Sequence, residues 1–119
     1  DVLGYPDRLE QVLINLMSNA TAAAVGRNRA GSVAPTIWVS AETRDNTILI
    51  RIKDNGGGVP DGIIDRIFEP FFTTKPAGEG TGLGLSISYA IVRQMSGNIH
   101  VYNDMSGAVF SIKLPIAAQ

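Results

Sequence analysis

The chain predicts an α/β two-layer sandwich, one sheet with its helices laid on a single face. Two observations predict it. Apolar residues recur at helical spacing near the start and again past the middle, and in strict alternation in the strand pairs that follow each helical region. The glycine-rich segments fall between those stretches, where the chain must reverse.

Asp7-Arg8-Leu9-Glu10 opens the first helix, with Asp7 as N-cap, Glu10 at the capping-box position and Pro6 just before. Leu9, Val12, Leu13, Leu16, Ala20 and Ala23 share one face, while Gln11, Asn15 and Asn19 form a separate polar column at i, i+4, i+8. Gly26 and Gly31 end this helix. A strand over Thr36–Thr43 places Ile37, Val39 and Ala41 on one face, and a second over Thr47–Lys53 does the same with Ile48, Ile50 and Ile52. Asp45-Asn46 supplies the turn between them. The second strand runs into Asp54-Asn55-Gly56-Gly57-Gly58-Val59-Pro60, and Ile63–Ile67 is expected as a short helix. A loop rich in Pro, Phe, Thr and Gly then leads to Gly80-Thr81-Gly82-Leu83-Gly84-Leu85, which opens a helix ending near Gly97. Strands over Asn98–Tyr102 and Ala108–Leu114 close the chain.

At 119 residues this is one domain, long enough to bury roughly two-thirds of its unfolded surface. Lys and Arg number 10 and Asp and Glu 11, a formal net charge of −1. That balance argues against a broad nucleic-acid or membrane-surface footprint, so a bound anion must be held by local donors. Without cysteine there is neither a disulfide framework nor a thiolate metal site. No apolar run reaches bilayer-spanning length and no signal peptide is visible. The abrupt start at Asp1-Val2-Leu3 reads as a cut fragment.

Several residues invite chemistry. The glycines of 78–84 permit positive φ and close approach, and backbone N–H groups at such a turn and at a helix start make a seat for phosphate. Asn15 and Asn19 either lie on a solvated face or supply a hard amide oxygen to Mg²⁺. Asp54 either caps the following turn or accepts an exocyclic amine, with Gly56 and Gly58 leaving room for a flat ring. Lys75 is a solvated loop residue or a mobile cation beside a triphosphate. Phe68, Phe71 and Phe72 read as anchors for the loop, His100 as an ordinary strand residue and Trp38 as a strand aromatic. No Ser-His-Asp set, paired-carboxylate site or His/Asp/Glu metal cluster can be assembled.

In this order the stretches resemble the catalytic ATP-binding domain of sensor histidine kinases, within the wider gyrase, chaperone and mismatch-repair ATPase superfamily. Gln11–Ala20 is similar to the N box of that family, Asp54–Gly58 to the first glycine box, Phe68–Lys75 to the F box, and Gly80–Leu85 to the second glycine box. The resemblance implies a Bergerat-type fold, a mixed sheet of about five strands under about three helices, with one strand preceding Asp1 and an ATP lid over 69–80. It implies ATP and Mg²⁺ as ligands, Asn19 on the metal and Asn15 beside the phosphates. Asp54 would accept the adenine amino group, Gly56 and Gly58 would line the base, and Lys75, Gly80, Thr81, Gly82, Leu83 and Gly84 would surround the phosphates.

Where related ATPases carry a Glu that activates water, this chain has Asn15, and an amide takes no proton. Missing a general base forfeits on the order of 10²–10⁴ in rate, so the γ-phosphoryl group is kept for another acceptor. The resemblance implies protein-histidine kinase activity toward a helical dimerisation and phosphoacceptor domain of the same parent protein, a response regulator downstream, and a cytoplasmic location without direct membrane contact. The fragment alone is expected not to label itself. A serine kinase of the anti-sigma-factor type and a nucleotide-gated interaction module are the alternatives. Ala22 stands where many such kinases have a cation, and Ala108 where a Thr is common.

Overall fold

A computed structural model of the chain describes residues 6–27, 33–70, 84–105 and 107–116. Helix α1 spans Pro6–Arg27 and helix α2 spans Gly84–Gln94. Strands β1 (Ile37–Arg44), β2 (Thr47–Asp54), β3 (Asn98–Asn103) and β4 (Ala108–Pro115) form one sheet in the order β1-β2-β4-β3. Every neighbouring pair is antiparallel. The α/β sandwich is as expected, but the counts differ. Among the described residues there are four strands and two helices, and the mixed sheet is replaced by a purely antiparallel one. Parallel neighbours need a long crossover between them, whereas β1–β2 and β3–β4 are joined by short turns.

The helical start at Pro6 suits a residue with no N–H to lose, and it moves Asp7 from the cap into the first turn, where its charge faces the positive end of the helix. Val12, Leu16, Ala20 and Ala24 are buried at helical spacing. They pack on the inward row of the sheet, in which Ile50, Ile52, Phe110, Ile112, Leu114 and Ile99 are buried. Removing each large side chain of this kind from water contributes about 1.5–3 kcal/mol. Edge strand β1 behaves differently. Val39 lies opposite Ile52 on the inward row, yet it is 54% exposed.

The expected helix at Ile63–Ile67 is instead a run of turns, with N–H to C=O bonds from Ile63 to Pro60, Arg66 to Ile63 and Glu69 to Arg66. Gly62 and the β-branched residues that follow it favour a helix poorly. Ile67 is nevertheless buried, and Phe68 meets Phe110 edge-on at 6.2 Å, so Phe68 is an anchor as anticipated. Phe71 and Phe72 fall outside the described residues.

Helix α2 ends where Ser96 takes a φ of 63° and the Gly97 N–H bonds back to Val92 C=O at 2.9 Å. A Cβ on Gly97 would lie 2.5 Å from the Lys113 carbonyl oxygen, so only glycine lets the helix end press against β4. Gly97→Ala is expected to destabilise the domain by about 1–3 kcal/mol. Gly26→Ala, where a Cβ meets nothing within 4 Å, is expected to stabilise α1 by up to about 1 kcal/mol. Urea denaturation of the two variants checks both signs.

Candidate functional site

Alternation along β2 places Ile48, Ile50, Ile52 and then Asp54 on the inward face. A carboxylate thus ends a row of isoleucines, and it is 1% exposed. Its Oδ1 accepts the Gly56 N–H at 2.7 Å, and the Ala108 N–H also donates to the carboxylate. Its Oδ2 is buried with no hydrogen-bond partner. Burial pushes the Asp54 carboxyl above its ordinary value, the N–H groups of Gly56 and Ala108 oppose that, and the charge of Asp104 adds to the rise. A buried acceptor left unmade costs about 1–3 kcal/mol. Such a group is a candidate functional site.

The glycine turn after Asp54 is shaped by what crowds it. A Cβ on Gly56 would lie 2.7 Å from the backbone carbonyl of Ala23, so α1 passes directly against the turn. Gly57 and Gly58 take φ of 90° and 88°, which side chains resist, and these reverse the chain. Asn103, at the end of β3, then holds the returning strand. Its Oδ1 accepts the Val59 N–H at 2.8 Å and its Nδ2 donates to the Val59 carbonyl at 2.7 Å. On the other side Asn55 receives the Thr36 N–H and donates to the Ala34 carbonyl.

The Asn column on α1 bridges two walls. Ala23 abuts Gly56, and two helical turns earlier the half-buried Asn15 donates from Nδ2 to the fully buried Ser88 Oγ of α2 at 3.4 Å. Asn19 lies midway on that same face and is itself half-buried. Gly84 is the exposed first residue of α2, while Lys75, Gly80, Thr81, Gly82 and Leu83 lie outside the described residues. The glycine turn after Asp54 thus lies against the Ala23 end of this polar column of α1, and Ser88 of α2 lies against the Asn15 end.

Residues 4–118 match the model of the family described as histidine kinase-, DNA gyrase B-, and HSP90-like ATPase. The chain belongs to that family. This ATPase domain is 44% identical over 117 residues to the two-component sensor PprA of Pseudomonas aeruginosa, covering 98% of this chain and 13% of that protein. It is 41% identical over 115 residues to the sensor histidine kinase ZraS of Salmonella typhimurium, covering 96% of this chain and 23% of the relative. The chain therefore spans less than a quarter of these curated relatives. Its fold is similar to the nucleotide-free catalytic domain of histidine kinase ThkA, with a TM-score of 0.76 at 35% identity, covering 91% of this chain and 66% of that one. It is an ATP-binding domain of the histidine-kinase type, as its motifs implied.

Some contributors to the ATPase domain's cleft went unnoticed in the sequence. Ser88 interrupts the apolar face of α2 at i+3 from Leu85, and Asn103 ends the inward row begun by Ile99 and Val101. Both are polar residues at apolar positions, a legible signal. Gly107 gave none, yet a Cβ there would lie 2.4 Å from the Asp54 carbonyl and 2.9 Å from its Oδ1. His100 is an exposed strand residue and Trp38 lies half open with Lys53 Nζ 5.2 Å from its ring centroid, both as expected. Among the described residues, no three His, Cys, Asp or Glu side chains gather as a metal site and no helix is long and apolar enough to cross a membrane.

A carboxyl whose pKa rises on folding contributes stability present below its ordinary value and lost as pH rises through the raised one. Compared with Asp54→Asn, the ligand-free wild type is expected to lose stability as pH climbs from the ordinary 3.8 through that window. Urea titrations of both proteins at stepped pH test the sign, and parallel curves would refute it.

Proposed function

We propose that residues 1–119 are the catalytic domain of a larger two-component sensor, binding Mg-ATP and passing the γ-phosphoryl group to a histidine. That histidine lies on a separate helical dimerisation and phosphoacceptor domain of the same parent protein, and a response-regulator aspartate receives the group next. The observation that carries the reading is the buried Asp54 carboxylate, whose Oδ2 has no hydrogen-bond partner. An adenine amino group is a donor that would supply one. The orphaned Asp54 Oδ2 therefore fits the base, and the half-buried amide of Asn19 fits a hard cation that takes its remaining oxygens from phosphates and water.

In this reading each residue has a simple task. Asp54 accepts the amine and so selects adenine over a 6-oxo purine. Gly56 and Gly58 keep the turn low beneath the ring. Asn19 offers its carbonyl oxygen to Mg²⁺, which neutralises phosphate charge when bound. Asn15, held by Ser88, takes no proton from water, so hydrolysis lacks a base and the triphosphate is retained for the incoming histidine. Lys75, Gly80, Thr81, Gly82, Leu83 and Gly84 close around the phosphates as the lid and helix start. Positioning and charge neutralisation supply the catalysis.

Calorimetry with Mg-ADP tests the carrying observation. In Asp54→Asn the side-chain oxygen keeps the Gly56 and Ala108 N–H groups, so its NH₂ sits where Oδ2 was and opposes the adenine amine. Mg-ADP affinity is expected to fall by about tenfold to a hundredfold, while Mg-IDP, with an acceptor at that ring position, loses far less. Incubation with γ-labelled ATP tests the transfer. The domain alone is expected to remain unlabelled, and a supplied dimeric helical domain carrying the acceptor His is expected to take the label in acid-labile form. Stoichiometric labelling of the domain by itself would overturn the assignment, and binding without transfer would favour a nucleotide-gated interaction module.

A further inference from the structure

At the site end of the sheet, one inward row runs across three strands. Asn103 pairs with Ala108, and Asp54 stands one step beyond the Lys53–Val109 pair, so the sequence across the row is Asp54, Ala108, Asn103. Ala108 is small and buried, which leaves the floor between the two polar residues low. The carboxylate acceptor and the Asn103 amide thus belong to one rigid rung, but they touch opposite ends of the glycine turn. Asp54 receives the Gly56 N–H at its start, and Asn103 receives and returns the Val59 peptide at its finish.

We infer that Asn103 is a positioning residue for the base, setting selectivity for adenine over 6-oxo purines by locking the glycine turn over the Asp54 carboxylate. The inference rests on the nucleotide reading proposed above. A side-chain amide that accepts from the N–H and donates to the C=O of one residue reproduces a rung of an antiparallel ladder, and so fixes Val59 in distance and in tilt. After the Gly56 N–H has bonded to Asp54, Gly57 and Gly58 hold left-handed φ without side chains to brace them, and the bonds to Val59 fix the finish of the turn. The fit is close. A Cβ on Gly58 would lie 2.7 Å from Asn103 Oδ1. The hairpin that carries Asn103 also presses Gly107 on Asp54, so turn and acceptor are referenced to the same β3–β4 unit.

Hydrogen-bond discrimination between an amine and a carbonyl at the ring depends on that registry, because such bonds weaken steeply with misalignment. Asn103 itself is exposed, so its loss disturbs the turn's geometry more than the domain's stability. The test compares Mg-ADP and Mg-IDP binding by calorimetry in wild type, Asn103→Ala and the isosteric Asn103→Asp. The Asp variant keeps an acceptor for the Val59 N–H and removes the donor to its carbonyl. Both variants are expected to compress the ADP-to-IDP affinity ratio by about fivefold or more. Thr47→Val, which removes a bond to Arg44 at the far end of the sheet, controls for general destabilisation and is expected to keep the wild-type ratio. An unchanged ratio in a folded Asn103 variant overturns this inference alone. Equal affinity of wild type for ADP and IDP, or no binding of either, overturns the base-site reading and the inference with it.

Discussion

A charge-bearing group at the end of an isoleucine row is the constraint that organises this domain. Alternation carries Asp54 inward whether or not a partner waits there, because slipping the register by one residue would turn Ile48, Ile50 and Ile52 out of the core. The surrounding chain is arranged to make that burial tolerable. Gly56 and Ala108 give N–H groups to the carboxylate, and Gly107 stays bare so that the hairpin can approach. What they leave unserved is a single oxygen. A fold can satisfy most of a buried carboxylate with backbone donors and still leave one lone-pair site open, and in the proposed reading that residual demand is what the ligand meets.

Helix α1 connects this acceptor to the rest of the cleft. One of its faces is spent on the core through Val12, Leu16, Ala20 and Ala24. The adjacent face carries Asn15, Asn19 and Ala23. Ala23 is small enough for the glycine turn to touch its backbone, and Asn15 is tied to α2 through Ser88. Asn19 is left between them. A longer side chain at 23, or an apolar one at 15, would separate the walls or free the helices from each other. The helix therefore sets the width of the cleft as well as lining it.

Much of this was legible in the sequence, and for physical reasons. Strand alternation in β2 and β4 was strong because both are central, covered by helices on one face, and their apolar rows had to be regular. The α1 column was legible because two Asn residues beside an apolar stripe have no structural excuse in helix propensity. The short helix at 63–67 misled because its apolar residues are spaced for burial, which a run of turns achieves equally well for Ile67. Ile37, Val39 and Ala41 alternate like core residues, but Val39 is open on an edge strand, where pattern reports the backbone period and not the cover. Gly107 was invisible, since what it avoids is a side chain brought near only by the closed sheet.

The division of labour across the cleft follows from rigidity. In the proposed reading, base recognition through one carboxylate oxygen needs fixed geometry, because hydrogen bonds weaken steeply with misalignment, and the residues that provide it sit on the sheet or are strapped to it. Asn55 fastens the turn to the entry of β1 and Asn103 fastens its exit to β3, each through paired bonds from one amide. Amides suit this task better than charged groups. They offer donor and acceptor together, hold both at a constant separation and add no field that would perturb the carboxylate between them. Lys53 pairs with Asp104 at 2.7 Å and so blunts an anion whose charge adds to the rise at Asp54. In the proposed reading, the selectivity of that carboxylate follows from how little freedom its neighbours have.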